Sequence, residues 1–176
     1  TQAAVNILQN CGNAMDAALA ACAVQAVVEP ESTGIGGDCF CLYSEGGSDK
    51  VIALNGSGRA PMGLSAEWLI KQGIHEISQQ SPHAVTVPTA VDAWVQLNRD
   101  YGSRPLGDLL RPAIKYARDG FAIGPRVAAD FKASANLIKG DADASALYLR
   151  DGENYKMGDR FSNPNLAKAM EEIAKH

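Results

Sequence analysis

Histidine is scarce in this chain. His75, His83 and His176 are scattered along 176 residues and suggest no metal cluster. No apolar run is long enough to span a bilayer. No basic-then-apolar secretory leader opens the chain; Thr1-Gln2-Ala3-Ala4-Val5 reads instead as a helix already under way. There is no G-x-S-x-G elbow and no H-E-x-x-H pair. No two carboxylates stand out as general acid and base, since Asp108, Asp119, Glu171 and Glu172 read as solvated helix faces. Net charge is -4 with the basic residues dispersed, so no nucleic-acid footprint exists.

A hydrophobic content of 46% is ample for a core, and the length suits one compact domain or part of a larger one. Four cysteines stand at positions 11, 22, 39 and 41. Cys39 and Cys41 share one face of a strand. With no second pair and no clustered histidine, all four read as buried thiols acting as small hydrophobes. That fits a reducing compartment, and the expected location leans cytoplasmic.

Glu31 to Leu42 organises the chain: an apolar helix enters Gly34, Gly36 and Gly37, and a strand leaves. A dinucleotide fingerprint needs the opposite order, strand then glycines then helix, and Cys39 stands where its last glycine belongs. The glycines are therefore expected to allow positive φ and a close backbone crossing.

Around that turn the pattern predicts a helix over 2–10 stopped by Gly12 in the C′ role. Asn13 caps an Ala-rich helix over 14–28 that suits close approach to a sheet, and Asp16 favours its positive end. Strands are expected over 38–44 and 50–55, joined by a Gly46-Gly47 hairpin loop, with another over 84–87. Ser65 caps a short helix. Thr89 and Asp92 form a capping-box-like start to a helix that stops at Gly102. Further helices are expected over 106–119, interrupted at Pro112, over 125–138, and from Pro164 to the chain end. Residues 141–145 read as an acidic loop, and Asp151-Gly152 as a turn.

Thr1 invites a nucleophile reading, with its own α-amine as base. It heads a helical segment rather than a rigid strand, which argues against that role. Asn55 to Pro61 is a polar, Gly-spaced run ending an apolar strand, a ligand-facing rim rather than core. Gly56 and Gly58 admit a ligand or a second strand. If the run is extended, Ser57 and Arg59 share a face roughly 6–7 Å apart. The Arg59 guanidinium then either holds a carboxylate through two parallel bonds, or makes a structural ion pair, or is simply solvated.

Gly12-Asn13-Ala14-Met15-Asp16-Ala17-Ala18 resembles the Gly-Asn-Ala-x-Asp-Ala-Ala signature of γ-glutamyltranspeptidases. Gly34 to Phe40 resembles the Gly-rich turn that comes after it, and Val85 to Trp94 a V-P-G-x-V-x-G-W-like segment. Tyr101-Gly102, Pro105-Leu106, Leu110, Pro112-Ala113-Ile114, Ala117 to Phe121, Gly158-Asp159 and Asn165-Leu166-Ala167 continue the likeness in order. The resemblance covers essentially the whole chain.

This resemblance implies an α+β class: a helix-rich part of the αββα four-layer sandwich of N-terminal nucleophile hydrolases. It implies an autoproteolytic precursor whose small subunit carries the catalytic threonine, with residues 1–176 forming the N-terminal portion of the large subunit as an incomplete domain. No catalytic residue would then lie in this chain, and no metal or cofactor is implied. The partners would be the small subunit and glutathione or another γ-glutamyl compound. The substrate-binding candidates are Arg59, Ser57 and Gly58. One departure stands out: Ser57 occupies the position of the family's carboxylate-binding arginine, and Gly58 that of the next glutamate. An acylase of the same fold acting on a glutaryl or cephalosporin-type side chain is the alternative, with a non-catalytic binding relative behind it.

Overall fold

A computed structural model describes residues 1–175; His176, counted above among the histidines and in the last helix, lies outside the described residues. In chain order the elements are α1 (Gln2–Gln9), α2 (Ala14–Val28), β1 (Cys39–Tyr43), β2 (Ile52–Gly56) and α3 (Ala66–Lys71). They continue with α4 (Ala90–Tyr101), α5 (Leu106–Asp119), β3 (Phe121–Ala122), α6 (Pro125–Ala133), α7 (Ala135–Lys139) and α8 (Ala142–Tyr148). The last are β4 (Leu149–Arg150), β5 (Glu153–Asn154), β6 (Arg160–Phe161) and α9 (Pro164–Ile173). Two compact units result: Thr1–Gly34 with Asn98 onward, and Ile35–Leu97. No helix among the described residues is long and apolar enough to cross a membrane.

The first unit is built on α2. The Asn13 side chain accepts the Asp16 amide at 2.9 Å, and the Asp16 carboxylate accepts the Asn13 amide at 3.0 Å, a reciprocal capping box. Within this unit α2 packs chiefly on helices α1 and α5. Alanines 17, 20, 23 and 26 face the contacts and let the helix axes come close. Asp16 is fully buried. Burial alone would raise its pKa. Hydrogen bonds from the Ser103 hydroxyl, then from the amides of Asn13, Ser103 and Arg104, outweigh that and hold it below the ordinary carboxylate value.

Several local expectations need correction here. The left-handed residue after α1 is Cys11 (φ 64°), not Gly12. Gly12 sits one residue later, its amide bonded to the Ile7 carbonyl at 2.9 Å, and a Cβ there would lie 2.4 Å from the Ile7 Cγ2. Helix α5 runs unbroken through Pro112, because Leu109, Leu110 and Ala113 on either side of it are fully buried and hold the turn. The helix expected over 125–138 is two, α6 and α7, meeting at Ser134. The acidic 141–145 stretch is the start of α8, because the Asp141 carboxylate accepts the Ala144 amide at 2.7 Å and caps it. Helix α9 stops at Ile173.

Two small ladders, β3 with β6 and β4 with β5, close the end of this unit. Asp151 (φ 54°) and Gly152 (φ 80°) make the tight turn between β4 and β5, as their sequence predicts. Phe161 centres an aromatic cluster with Phe121, Phe131, Tyr148 and Tyr155.

In the second unit β1 and β2 pair antiparallel, with Cys39 opposite Gly56, Phe40 opposite Asn55 and Leu42 opposite Ala53. Gly46 (φ 57°) and Gly47 (φ 70°) turn the connection, as expected. Phe40 and Leu42 are 67% and 78% exposed, so one face of the ribbon is bare. The strand expected over 84–87 does not form. Residues 82–84 make a 3-10 turn, and the segment from Val85 to Val87 has one backbone bond to the rim, from the Val87 amide to the Arg59 carbonyl at 3.0 Å. Pro88, which has no N–H, cannot extend a ladder.

Thr89 does not cap α4 through its hydroxyl. That group donates to the Gly56 carbonyl at 2.6 Å, and the Gly37 carbonyl takes the Thr89 and Ala90 amides instead. The positive φ expected at Gly34, Gly36 and Gly37 is absent, and a Cβ on any of them would meet nothing within 4 Å, so the backbone contact at Gly37 does not require a glycine. The cysteines are not buried either. Cys11 and Cys22 are exposed, Cys39 and Cys41 half-buried, because Cys11 sits in a turn and Cys22 on the outward side of α2. Burial still pushes the Cys41 thiol up.

Candidate functional site

The rim lies within the second unit. The ladder of β2 ends at Gly56, and residues 57–61 have no regular structure. The alternation of exposure nevertheless continues past the last rung. Asn55, Ser57 and Arg59 are exposed, while Gly56 and Gly58 are half-buried. Ser57 and Arg59 therefore keep the phase expected of an extended run without belonging to the sheet.

Four hydrogen bonds hold this short coil. Thr89 Oγ1 donates to the Gly56 carbonyl at 2.6 Å. The Ser57 amide donates to Asn55 Oδ1 at 3.0 Å. The Gly58 amide donates to Asp38 Oδ1 at 3.0 Å. The Arg59 carbonyl accepts the Val87 amide at 3.0 Å. Each of residues 56–59 thus has one backbone group tied down, where a free coil end would fray.

The two glycines have a steric role. A Cβ on Gly58 would lie 1.9 Å from the Val87 carbonyl oxygen and 2.8 Å from Thr86 Oγ1. One on Gly56 would lie 2.7 Å from the Cys39 carbonyl oxygen and 2.8 Å from the Ala93 Cβ. The group that approaches the Gly58 backbone is this chain's own 85–89 segment.

Arg59 itself takes part in none of the ion pairs seen among the described residues. Its guanidinium stands exposed on a backbone held at the Gly58 amide and at its own carbonyl. Ser57 presents one hydroxyl and no charge beside it. Two residues that organise this site, Asp38 and Thr89, were not singled out from the sequence as parts of it. The hairpin register held the signal for Asp38: with Cys39 opposite Gly56, Asp38 falls beside the first residues beyond the strand.

Elsewhere no reactive centre assembles among the described residues. Thr1 occupies the cap position of α1, its carbonyl accepting the Val5 amide at 3.1 Å, and its hydroxyl makes no capping bond. Among the described residues no group of three His, Cys, Asp or Glu side chains could hold a metal ion.

Similarity to known proteins completes the picture. The family described as Gamma-glutamyltranspeptidase matches residues 1–176. The "Glutathione hydrolase-like YwrD proenzyme" of Bacillus subtilis is 34% identical over 175 residues, covering 99% of this chain and 33% of that protein. Among solved structures, the gamma-glutamyltranspeptidase of Helicobacter pylori superposes with a TM-score of 0.92 at 29% identity, covering 99% of this chain and 51% of that one. The cephalosporin acylase of Bacillus halodurans gives 0.91 at 36% identity, covering 99% and 33%. The chain thus spans about a third of the curated relatives' length. The helix-rich α+β arrangement is part of the N-terminal nucleophile hydrolase fold. From its signature around Asn13 to its last helix, this chain belongs to the gamma-glutamyltranspeptidase family.

Proposed function

We propose that the complete protein cleaves γ-glutamyl amides such as that of glutathione, through a threonine acyl-enzyme, and that residues 1–176 are the N-terminal portion of its large subunit. The attacking hydroxyl belongs on a small subunit released by self-cleavage; the "proenzyme" names of the relatives support this. The hydroxyl adds to the amide carbonyl, the amine leaves with a proton, and water or a second amine takes the acyl group. This chain contributes binding at the rim.

The observation that carries this reading is Arg59: exposed, outside every ion pair described, and held on a rim whose backbone is fixed. A planar guanidinium suits the α-carboxylate of a γ-glutamyl group, which it can grip with two parallel bonds. Arg59 stands two residues beyond Ser57, the family's arginine position, and supplies the charge that Ser57 lacks.

That same displacement favours one second reading, an acylase for a glutaryl-type side chain, as does the likeness to the cephalosporin acylase. A glutaryl group keeps a carboxylate for Arg59 but has no α-ammonium. Comparing kcat/KM of the complete, processed protein on γ-glutamyl and glutaryl p-nitroanilides decides between them. The proposal expects the γ-glutamyl compound to be preferred. It also expects Arg59→Ala to raise KM about tenfold or more, the loss of a charge-assisted bond. A preferred glutaryl compound overturns the substrate, and an unchanged KM removes Arg59 from the pocket. Absence of self-cleavage together with absence of turnover would leave only a binding relative.

A further inference from the structure

We infer that Asp38 is the positioning residue for Arg59, acting through the Gly58 amide, with Thr89 as its counterpart on the other side of the rim. This rests on the reading of Arg59 as the carboxylate-binding group. A flexible arginine on a fraying strand end binds poorly, because each rotamer and backbone well must be given up on binding. Here the backbone part of that loss is already met. Asp38 Oδ1 accepts the Gly58 amide at 3.0 Å, immediately before Arg59. The Val87 amide fixes the Arg59 carbonyl at 3.0 Å, immediately after the side chain. Thr89 Oγ1 fixes the Gly56 carbonyl at 2.6 Å.

Side-chain tethers have to replace the ladder at this point, since β1 starts at Cys39 and β2 ends at Gly56. Asp38 is the first residue beyond the ladder on one strand, and it reaches across to the second residue beyond it on the other. The absent side chain of Gly58 belongs to the same device, since it lets the Val87 carbonyl close over the rim. The carboxylate of Asp38 is exposed and makes no ion pair with Arg59 or any other cation among the described residues, so the guanidinium is left for a ligand. Asp38 thus acts on binding through geometry, and its amide analogue should serve nearly as well, because a carboxamide oxygen also accepts an N–H.

The test uses the complete, processed protein and γ-glutamyl p-nitroanilide. Asp38→Ala is expected to raise KM roughly tenfold with kcat nearly unchanged. Asp38→Asn is expected to restore KM to within about twofold of the parent, and Thr89→Val to show a weaker form of the Asp38→Ala effect. In an Arg59→Ala background, Asp38→Ala is expected to add almost nothing, since both act through one contact. If instead it raises KM equally with and without Arg59, Asp38 does not work through Arg59 and the inference fails. That outcome is separate from the failure of the Arg59 reading, which shows in Arg59→Ala alone. Amide hydrogen exchange at Gly58 needs no substrate: protection in the parent and in Asp38→Asn, lost in Asp38→Ala, supports the tether. Equal exchange in all three overturns it.

Discussion

The Ser103 hydroxyl donates to the Asp16 carboxylate, joining two residues 87 positions apart. The same carboxylate accepts the amides of Asn13, Ser103 and Arg104, so one side chain ties the start of α2 to the turn that precedes α5. Asp16 is the one buried charged residue in the described core, and every part of its carboxylate is used.

Asp16→Asn should therefore be costly despite its equal size. The amide nitrogen of asparagine cannot accept, which leaves at least one buried donor unmatched at about 1–3 kcal/mol. Urea unfolding of the complete protein should show a lower midpoint at constant slope. An unaltered midpoint would mean the cluster adds nothing to stability.

Acid should act through the same group. The folded state holds the Asp16 pKa below the ordinary carboxylate value. The carboxylate thus stabilises the fold above its unfolded pKa, and this is lost as pH falls through the folded one. Thermal midpoints should drop below about pH 4, and the drop should be smaller in Asp16→Asn. Parallel curves for the two proteins would assign acid unfolding to other groups.

Two glycine substitutions should part company. Gly58→Ala places a Cβ inside the Val87 carbonyl and should cost about 1–3 kcal/mol, with a raised KM because the rim must shift. Gly63→Ala meets nothing within 4 Å at an ordinary φ and should stay within about 0.5 kcal/mol of the parent. Similar stabilities for the two would refute the packing described around the rim.

Phe161→Ala should be among the most damaging changes in the first unit. The ring is 1% exposed and lies 5.3 Å from Tyr155 and 5.8 Å from Phe121, Phe131 and Tyr148. Its removal should cost about 3–5 kcal/mol. Denaturant titration followed by tyrosine fluorescence reads this directly, and a loss below about 1 kcal/mol would show that the cluster refills.

Features set by neighbours in sequence were legible in advance. Asn13 and Asp16 announce a helix start because both arms of the capping box lie within four residues. Gly102 and Gly120 mark the ends of α4 and α5 for the same local reason. Some departures arise where distant partners decide. Val85-Thr86-Val87 has strand composition, but a strand exists only with a neighbour to pair with, and Pro88 with the single bond to Arg59 gives it none. The Asp141 cap of α8 is a local signal of the same kind as Asn13, its carboxylate accepting an amide three residues on, masked in the sequence by the neighbouring acid Asp143. At the candidate site, the polar run from Ser57 to Arg59 is readable from composition alone as a break from core sequence, and it lies exposed beyond the end of β2. Its tethers did not show, because Asp38 and Thr89 reach it only through the hairpin register and the return of the chain at residue 89.

The bare ribbon of β1 and β2 carries a practical consequence. Each strand has a single paired neighbour among the described residues, and Phe40 and Leu42 stand on the same wetted side. Such ribbons stack flank to flank and turn preparations cloudy. Anyone expressing residues 1–176 alone should plan for a solubilising fusion, or for Leu42→Lys.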